Sequence, residues 1–331
     1  ETRIHHIYKH FILHIFMKYL VTGGAGFIGS HLVDALLTSG NEVIVIDNLS
    51  TGKNNIQHHL KNEKLIFFQK DIRGNLSEIF ENNKFDAVFH LAAIPSVPYS
   101  IEHEKETNDI NLNGTLNILN LCKAHKVNRF IFSSSAAVYG TQTESPLKEN
   151  LKPNPLSPYG KQKLNCESHC RLFFENNGIE TIALRYFNVF GPRMSTIGDY
   201  AALIPKTIAS LLAKEAPIIF GNGEQTRDFV YISEVINANL SALNTSNKSC
   251  FGEVFNIGSG EKISVNIAVL TLIKLTTQKV SPKYQEARKG DIKDSLAEIS
   301  KAKNLLNWEP KVSFEQGMKE TYEYFASSYR L

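Results

Sequence analysis

From residue 17 to residue 187 the chain alternates short apolar runs with longer amphipathic stretches, a period near two giving way repeatedly to one near 3.6. Tyr19-Leu20-Val21 reads as a first strand, after which Ile28, Leu32 and Leu36 share one face of a helix that ends at Gly40. Residues 42–46, 65–69, 87–91 and 129–132 read as further strands. Ile110, Leu116, Leu119 and Leu121 mark the apolar face of a helix over 107–124, and 159–176 reads as another helix before a strand at 181–184. Strands separated by helices require crossover connections, so the pattern predicts an α/β fold of Rossmann type, a doubly wound, mainly parallel sheet covered on both faces. Beyond residue 193 the rhythm becomes irregular, with a helix near 203–214, a turn at Gly221-Asn222-Gly223, a strand at 254–257 and helical segments toward the end. This predicts a first domain over 17–187 and a smaller mixed α/β domain over 188–331, with segments near 228–260 returning to the first.

Between the first strand and first helix stands Val21-Thr22-Gly23-Gly24-Ala25-Gly26-Phe27-Ile28-Gly29. In such a turn Gly23 lets the chain leave the strand sharply, Gly26 lets backbone approach a pyrophosphate, and Gly29 lets the helix pack closely on the sheet. Phe27 and Ile28 open the helix, whose N-terminus attracts phosphate. Asp47 closes the second strand, where a carboxylate accepts hydrogen bonds from the adenine-ribose hydroxyls and repels a 2′-phosphate, so NAD is expected rather than NADP. Asn48, Ser50 and Gly52 belong to a polar loop suited to cover the adenosine end. Asp71-Ile72 ends the third strand; there a carboxylate can reach the adenine amino group, and a cap or turn aspartate is an equal reading. Leu91-Ala92-Ala93 ends the fourth strand in small residues that admit a cofactor, and Asn111 is placed to hold backbone at the site. Ser133-Ser134-Ser135 arrive at the carboxyl end of the fifth strand, the edge where open α/β sheets bind ligands.

Tyr159 and Lys163 lie one helical turn apart on one face. A phenol with a pKa of about 10 is a poor base at neutral pH, but a neighbouring ammonium and a positive nicotinamide ring both favour its phenolate. Tyr159 is therefore the candidate acid/base, Lys163 the group that depresses its pKa and bonds the nicotinamide ribose, and Ser135 the bridge between tyrosine and substrate oxygen. The spacing alone suits a buried ring beside a snorkelling lysine. Its occurrence with the glycine turn and the strand-end serines points to catalysis.

Composition narrows the classes further. The 331 residues are 42% hydrophobic and carry a formal charge of +3 with both signs interspersed, which gives no nucleic-acid stripe and no polybasic membrane patch. No apolar run reaches the roughly 18 residues of a membrane span. Cys122, Cys166, Cys170 and Cys250 show no zinc-ligand spacing, so no metal is expected and reduced thiols in a cytoplasmic setting are. Residues 1–16 resemble nothing that follows, whereas Met17-Lys18-Tyr19 leads directly into the first strand. They are expected to be an extraneous extension; their apolar part is short, is interrupted by His14 and lacks a signal-peptide cleavage site.

The motifs also recur in a known order: Gly23 to Gly29, Asp47-Asn48-Leu49-Ser50-Thr51-Gly52, His90-Leu91-Ala92-Ala93, Ser133 to Gly140, Ser157-Pro158-Tyr159-Gly160-Lys161-Gln162-Lys163 and Leu184-Arg185-Tyr186-Phe187-Asn188-Val189-Phe190-Gly191-Pro192. In these the chain resembles the extended short-chain dehydrogenase/reductases, particularly the NAD-dependent UDP-sugar 4-epimerases. The resemblance implies a seven-stranded sheet, a UDP-sugar substrate, and Ser135, Tyr159 and Lys163 at the catalytic positions. It sets Ser133 and Tyr186 beside the cofactor, and Asn188, Ala202, Leu203, Lys206, Arg227, Arg288 and Asp291 on the nucleotide diphosphate. Arginines suit phosphate oxygens and a carboxylate suits a ribose diol. Pro95-Ser96-Val97-Pro98-Tyr99-Ser100 resembles the loop of the N-acetyl-preferring members, with Ser96 at the substrate, and Ser295 falls where a bulky tyrosine accompanies strict use of glucose and galactose.

The implied reaction is C4 epimerisation through a transient 4-keto sugar, with UDP-N-acetylglucosamine to UDP-N-acetylgalactosamine foremost and UDP-glucose/UDP-galactose or a UDP-uronate as alternatives. A nucleotide-sugar 4,6-dehydratase is disfavoured because Ala136-Ala137 stands where the resembling dehydratases carry Asp-Glu. A non-catalytic NAD-binding protein is disfavoured by the joint presence of Ser135, Tyr159 and Lys163. The resemblance also implies a homodimer formed through the helices at 107–124 and 159–176.

Overall fold

The computed structural model describes residues 17–51, 54–196, 202–276, 278–287 and 293–329; the segment 1–16, Gly52, Arg288 and Asp291 lie outside them. Seven strands form the central sheet: β1 (Lys18–Thr22), β2 (Glu42–Asp47), β3 (Leu65–Gln69), β4 (Ala87–His90), β5 (Arg129–Ser135), β6 (Glu180–Tyr186) and β11 (Glu253–Ile257). Their order is β11-β6-β5-β4-β1-β2-β3, and every pairing is parallel. The chain starts at β1, winds out to β3, returns to β4 and winds out the other way. The direction reverses between β1 and β4, which opens a crevice beyond their carboxyl ends.

Because successive residues point to opposite faces, each strand serves two cores. Leu20, Ile44, Val88 and Phe130 pack with Ile118, Leu119 and Cys122 of helix Gly114–Ala124 and with Cys166 and Cys170 of helix Pro158–Asn177. Val21, Val45, Phe89 and Ile131 pack on the other face with Leu32 and Leu36 of helix Phe27–Thr38 and with Val235 and Ala238 of helix Ile232–Asn244. Burial on both faces is why the strands read as continuous apolar runs.

The helix expected over 107–124 differs from the pattern. A short helix, Glu104–Asn108, runs into a wide π turn at Asp109–Asn113 before helix Gly114–Ala124 begins. The wide turn leaves the Asn111 carbonyl available to the Thr115 hydroxyl at 2.6 Å and the Cys166 thiol at 3.3 Å.

After β6 come three short strand pairs. β7 (Asn188–Phe190) runs parallel to β10 (Phe229–Tyr231), β9 (Thr226–Arg227) antiparallel to β12 (Ile263–Ser264), and β8 (Ile218–Phe220) parallel to β13 (Lys283–Gln285). With helix Leu203–Leu212 they supply the wall opposite the sheet's carboxyl edge. Among the described residues no helix is long and apolar enough to cross a membrane.

Candidate active site

A cavity of about 1070 Å³ occupies the crevice, lined by the β1 turn, the ends of β4 and β5, and the segments after β6. That is just above the range for one small ligand, roughly 300–1,000 Å³, and suits two extended ligands side by side.

The glycine turn forms one wall. Gly23 has φ +70°, and a Cβ there would sit 2.7 Å from the Ala92 nitrogen, so only glycine lets the turn and the β4 end approach this closely. A Cβ on Gly29 would collide with the Gly23 carbonyl oxygen. Gly26 caps helix Phe27–Thr38 without a side-chain bond, leaving the first N–H groups for an anion beside Phe27, Ile28 and Gly29. Arg193 joins this cavity, and its Nη1 is buried without a partner among the described residues. An uncapped helix start and an orphaned guanidinium nitrogen fit a pyrophosphate.

Asp47 is oriented from behind: Oδ2 accepts the Ala25 N–H at 3.0 Å and Oδ1 the Leu49 N–H at 2.8 Å. Burial pushes its pKa up, while these N–H bonds pull it down. Asn48, Ser50 and Ile72 line the same end, and the Asn48 amide donates to Asp71 at 3.3 Å. Both readings of Asp71 meet in the structure, since it walls the cavity and also accepts the Arg73 N–H in a turn. The Arg73 guanidinium holds the Asp71 carboxyl down at about 2. Asp47→Ala is expected to weaken NAD binding about 10–100-fold, the loss of hydrogen bonds to a charged group. The check is NAD content after gel filtration and dilution; undiminished content would remove Asp47 from the ribose site.

One sequence assignment needs correction. Asn111 is buried behind the wall rather than in it: its Oδ1 accepts the Ile94 N–H at 2.7 Å, and its Nδ2 donates to the Ile94 carbonyl at 3.1 Å and to Gln162 at 2.8 Å. The wide π turn points this side chain at the loop after β4, so it holds backbone and does not touch the cavity. Leu91, Ala92 and Ala93 of that loop do line it.

At the centre, β5 delivers Ser133 and Ser135 to the cavity, beside Tyr186 at the end of β6. Tyr159 stands in the first turn of helix Pro158–Asn177, which Pro158 opens and Ser157 caps by accepting the Gly160 N–H at 3.1 Å. The Tyr159 N–H donates to the Ser100 hydroxyl at 3.2 Å. Its phenol is hydrogen-bonded to Ser135 and is pushed up to about 12 by burial, with Ser135 countering. Lys163 Nζ donates to the Ser133 carbonyl at 2.7 Å and lies 5.8 Å from the Tyr159 ring centre. Burial presses the lysine down to about 8. Burial thus governs the phenol, and the group that lowers it in this structure is Ser135 rather than Lys163.

Behind these groups lies a network the sequence reading missed. Glu167 accepts from the Ser134 hydroxyl at 2.5 Å and pairs with Arg185 through Nε at 2.9 Å and Nη2 at 2.8 Å, both side chains nearly fully buried. It ties β5, β6 and the Tyr159 helix together directly behind the serines. Two signals were present: Glu167 lies one turn beyond Lys163, and Arg185 interrupts an apolar strand.

The opposite wall holds Ser96, Asn188, Ala202, Leu203, Lys206 and Arg227. Ser96 is buried and caps the next helix by accepting the Tyr99 N–H at 3.2 Å. Asn188 Nδ2 donates to the Asp228 carbonyl at 3.1 Å, and Ala202 starts helix Leu203–Leu212 without a side-chain cap. A second uncapped helix start with Lys206 and Arg227 beside it fits a second anionic ligand. Ser295 is half-buried and not a wall residue; its N–H donates at 3.2 Å to the carbonyl of Thr226, the neighbour of Arg227.

The chain matches the family model described as GDP-mannose 4,6 dehydratase over residues 20–321. A putative UDP-glucose 4-epimerase of Methanocaldococcus jannaschii is 40% identical over 94% of this chain and 99% of its own length. The solved UDP-N-acetylglucosamine 4-epimerase of Methanobrevibacter ruminantium M1, in complex with UDP-N-acetylmuramic acid, is 39% identical with a TM-score of 0.90, covering 95% of this chain and 99% of that one. The UDP-glucuronic acid 4-epimerase of Bacillus cereus, solved with UDP-glucuronic acid and NAD, is 37% identical with a TM-score of 0.86, covering 94% and 100%. The chain therefore belongs to the GDP-mannose 4,6 dehydratase-like extended short-chain dehydrogenase/reductase family, and within it to the NAD-dependent UDP-sugar 4-epimerases.

Proposed function

We propose that this epimerase interconverts UDP-N-acetylglucosamine and UDP-N-acetylgalactosamine in the cytoplasm. The observation that carries the choice of sugar is Ser295, a short residue on the segment paired with Thr226 and next to Arg227. Serine at this position does not reach the cavity wall, whereas a tyrosine would extend a ring's length further and take the volume an N-acetyl group needs. Ser96, in the Pro95 to Ser100 segment, lies on the same cavity and supports the reading.

In this reading the UDP diphosphate sits at the start of helix Leu203–Leu212, held by Lys206 and Arg227. The resemblance assigns Arg288 and Asp291, which lie outside the described residues, to the same nucleotide diphosphate. Bound NAD supplies a two-electron acceptor at C4 that stays in place and returns what it took. With the positive ring of bound NAD and the Lys163 ammonium favouring its phenolate, Tyr159 would take the proton of the sugar 4-hydroxyl and later give it back to the 4-keto oxygen, with Ser135 bridging the two oxygens. The buried Lys163 holds positive charge near that phenol. Ala136 and Ala137 offer no acid or base for an elimination across C5 and C6, so the ketosugar turns over and is reduced on its other face. Distant hold on the diphosphate keeps it from escaping while it rotates. Two copies pair through helices Gly114–Ala124 and Pro158–Asn177, where Leu172 is exposed.

The test is to incubate the protein with each UDP-sugar pair and follow the anomeric proton signals, comparing kcat/KM in wild type and Ser295→Tyr. The acetylated pair is expected to be preferred by wild type and to lose about 10–200-fold in the variant, the range for a steric mismatch in a pocket. A wild-type preference for the plain or uronic pair, or a variant that handles the acetylated pair normally, overturns the reading.

A further inference from the structure

Away from the cavity, helix Phe27–Thr38 carries Asp34 against the turn Gln57–His59. Asp34 Oδ1 lies 2.8 Å from His59 Nε2 and 3.5 Å from His58 Nε2, and the three ligand atoms all fall within 4.8 Å of one another. Consecutive residues of a 3₁₀ turn project about 120° apart, so the backbone by itself does not aim two neighbouring imidazoles at one oxygen. An ordinary hydrogen bond accounts for His59. It does not account for His58, whose ring packs on that of His59 with centroids 4.0 Å apart and whose distance to Asp34 is close to the roughly 3.3–3.4 Å between two ligands on a tetrahedral ion with bonds of about 2.0–2.1 Å.

We propose that Asp34, His58 and His59 form a binding site for a first-row transition dication, Zn²⁺ foremost, with a fourth position open to water. Two imidazole nitrogens and one carboxylate oxygen are the donor set such ions take, and the hard ions Mg²⁺ and Ca²⁺ prefer oxygen alone. Asp34 is also braced as a ligating carboxylate usually is: its Oδ2 accepts from Arg193 Nη2 at 2.6 Å. The site that cysteine spacing gave no sign of is thus built from one helix and one turn, with Arg193 linking it to the cavity wall.

The ion acts as a clamp. Asn55, two residues before the turn, donates both its N–H and its side-chain amide to the Ala25 carbonyl of the glycine turn, each at 3.1 Å, and lines the cavity with Asn48 and Ser50. Pinning His58 and His59 to Asp34 fixes the far end of this segment onto the helix whose start faces the pyrophosphate. Metal therefore slows the loss of NAD, a consequence that rests on the cofactor occupying this crevice, whereas metal retention is read without it.

The experiment loads metal-stripped full chain with Zn²⁺, removes excess by gel filtration, and measures retained metal and the rate of NAD loss on dilution. Because the chain also carries histidines at positions 5, 6, 10 and 14, the quantity read is the difference between wild type and the His58→Gln/His59→Gln variant, with Asp34→Asn as a second variant of unaltered size. Wild type is expected to retain about one equivalent more than either variant, to show visible bands of four-coordinate Co²⁺ that both variants lose, and to release NAD severalfold more slowly with Zn²⁺ than without. Equal retention in wild type and both variants overturns the site, and extra retained metal with an unchanged NAD release rate overturns the clamp.

Discussion

Tyr159→Phe is expected to lower epimerisation by roughly 10²–10⁴-fold, the usual contribution of a general acid–base group, while the fold and NAD content are kept. The substitution removes one oxygen from a ring that is 7% exposed, and the N–H bond to Ser100 belongs to the backbone and survives. Ser135 loses one partner but still accepts the Ala137 N–H at 3.2 Å, so the stability change is expected to stay within about 1 kcal/mol. KM is expected to move far less than kcat, because the UDP end of the substrate is held by other residues. Anomeric proton spectra of a UDP-sugar incubated with the variant provide the check. Turnover within about twofold of wild type removes Tyr159 from the mechanism.

Lys163→Met is expected to abolish most activity and, at the same time, to make the protein more stable at neutral pH. The lysine is 4% exposed and its ammonium is pressed from an ordinary 10.5 down to about 8 by burial. Below about pH 8 the folded protein therefore carries a buried charge at a cost of about 3 kcal/mol. Between about 8 and 10.5 the native state binds fewer protons than the unfolded chain at this site, so wild-type stability from this group rises with pH across that window. Methionine fills similar volume without the charge but abandons the bond to the Ser133 carbonyl, which offsets about 1 kcal/mol. A net gain on the order of 1–3 kcal/mol at pH 7 is expected by denaturant titration, shrinking when the titration is repeated at a pH of about 10. A variant less stable than wild type at pH 7, or a difference that does not change with pH, contradicts this account. A gain of stability with loss of turnover would mark Lys163 as a charge retained for function.

What could be read from the chain was what is local. Gly23, Gly26 and Gly29 announce the turn by their spacing, although the backbone that Gly23 makes room for, at Ala92, lies far along the chain, and Asp47 announces a carboxylate at the cavity because it closes the strand that follows. Tyr159 and Lys163 announce themselves by helical spacing. Strand bounds were nearly right, but the π turn at Asp109–Asn113 was not legible, since the periodicity of 107–124 is satisfied equally by a regular helix. Asn111 was legible as a residue that holds backbone near the site, but its partners, Ile94 and Gln162, were not, being 17 and 51 residues away in the chain.

The sequence by itself determined the α/β class, the position of the glycine turn, the serine, tyrosine and lysine that the fold brings to one cavity, and the use of NAD, because periodicity and turn chemistry act over a few residues. Only the tertiary structure decided how far each group titrates from its ordinary value. Burial, which no short pattern reports, raises the Tyr159 phenol and lowers the Lys163 ammonium. It also decided the partnerships between elements distant in the chain: Glu167 with Arg185 behind the serines, Arg193 at the cavity wall, and Asp34 with His58 and His59. These pairs are 18 residues apart or more, and their contact follows from the packing of helices on a parallel sheet.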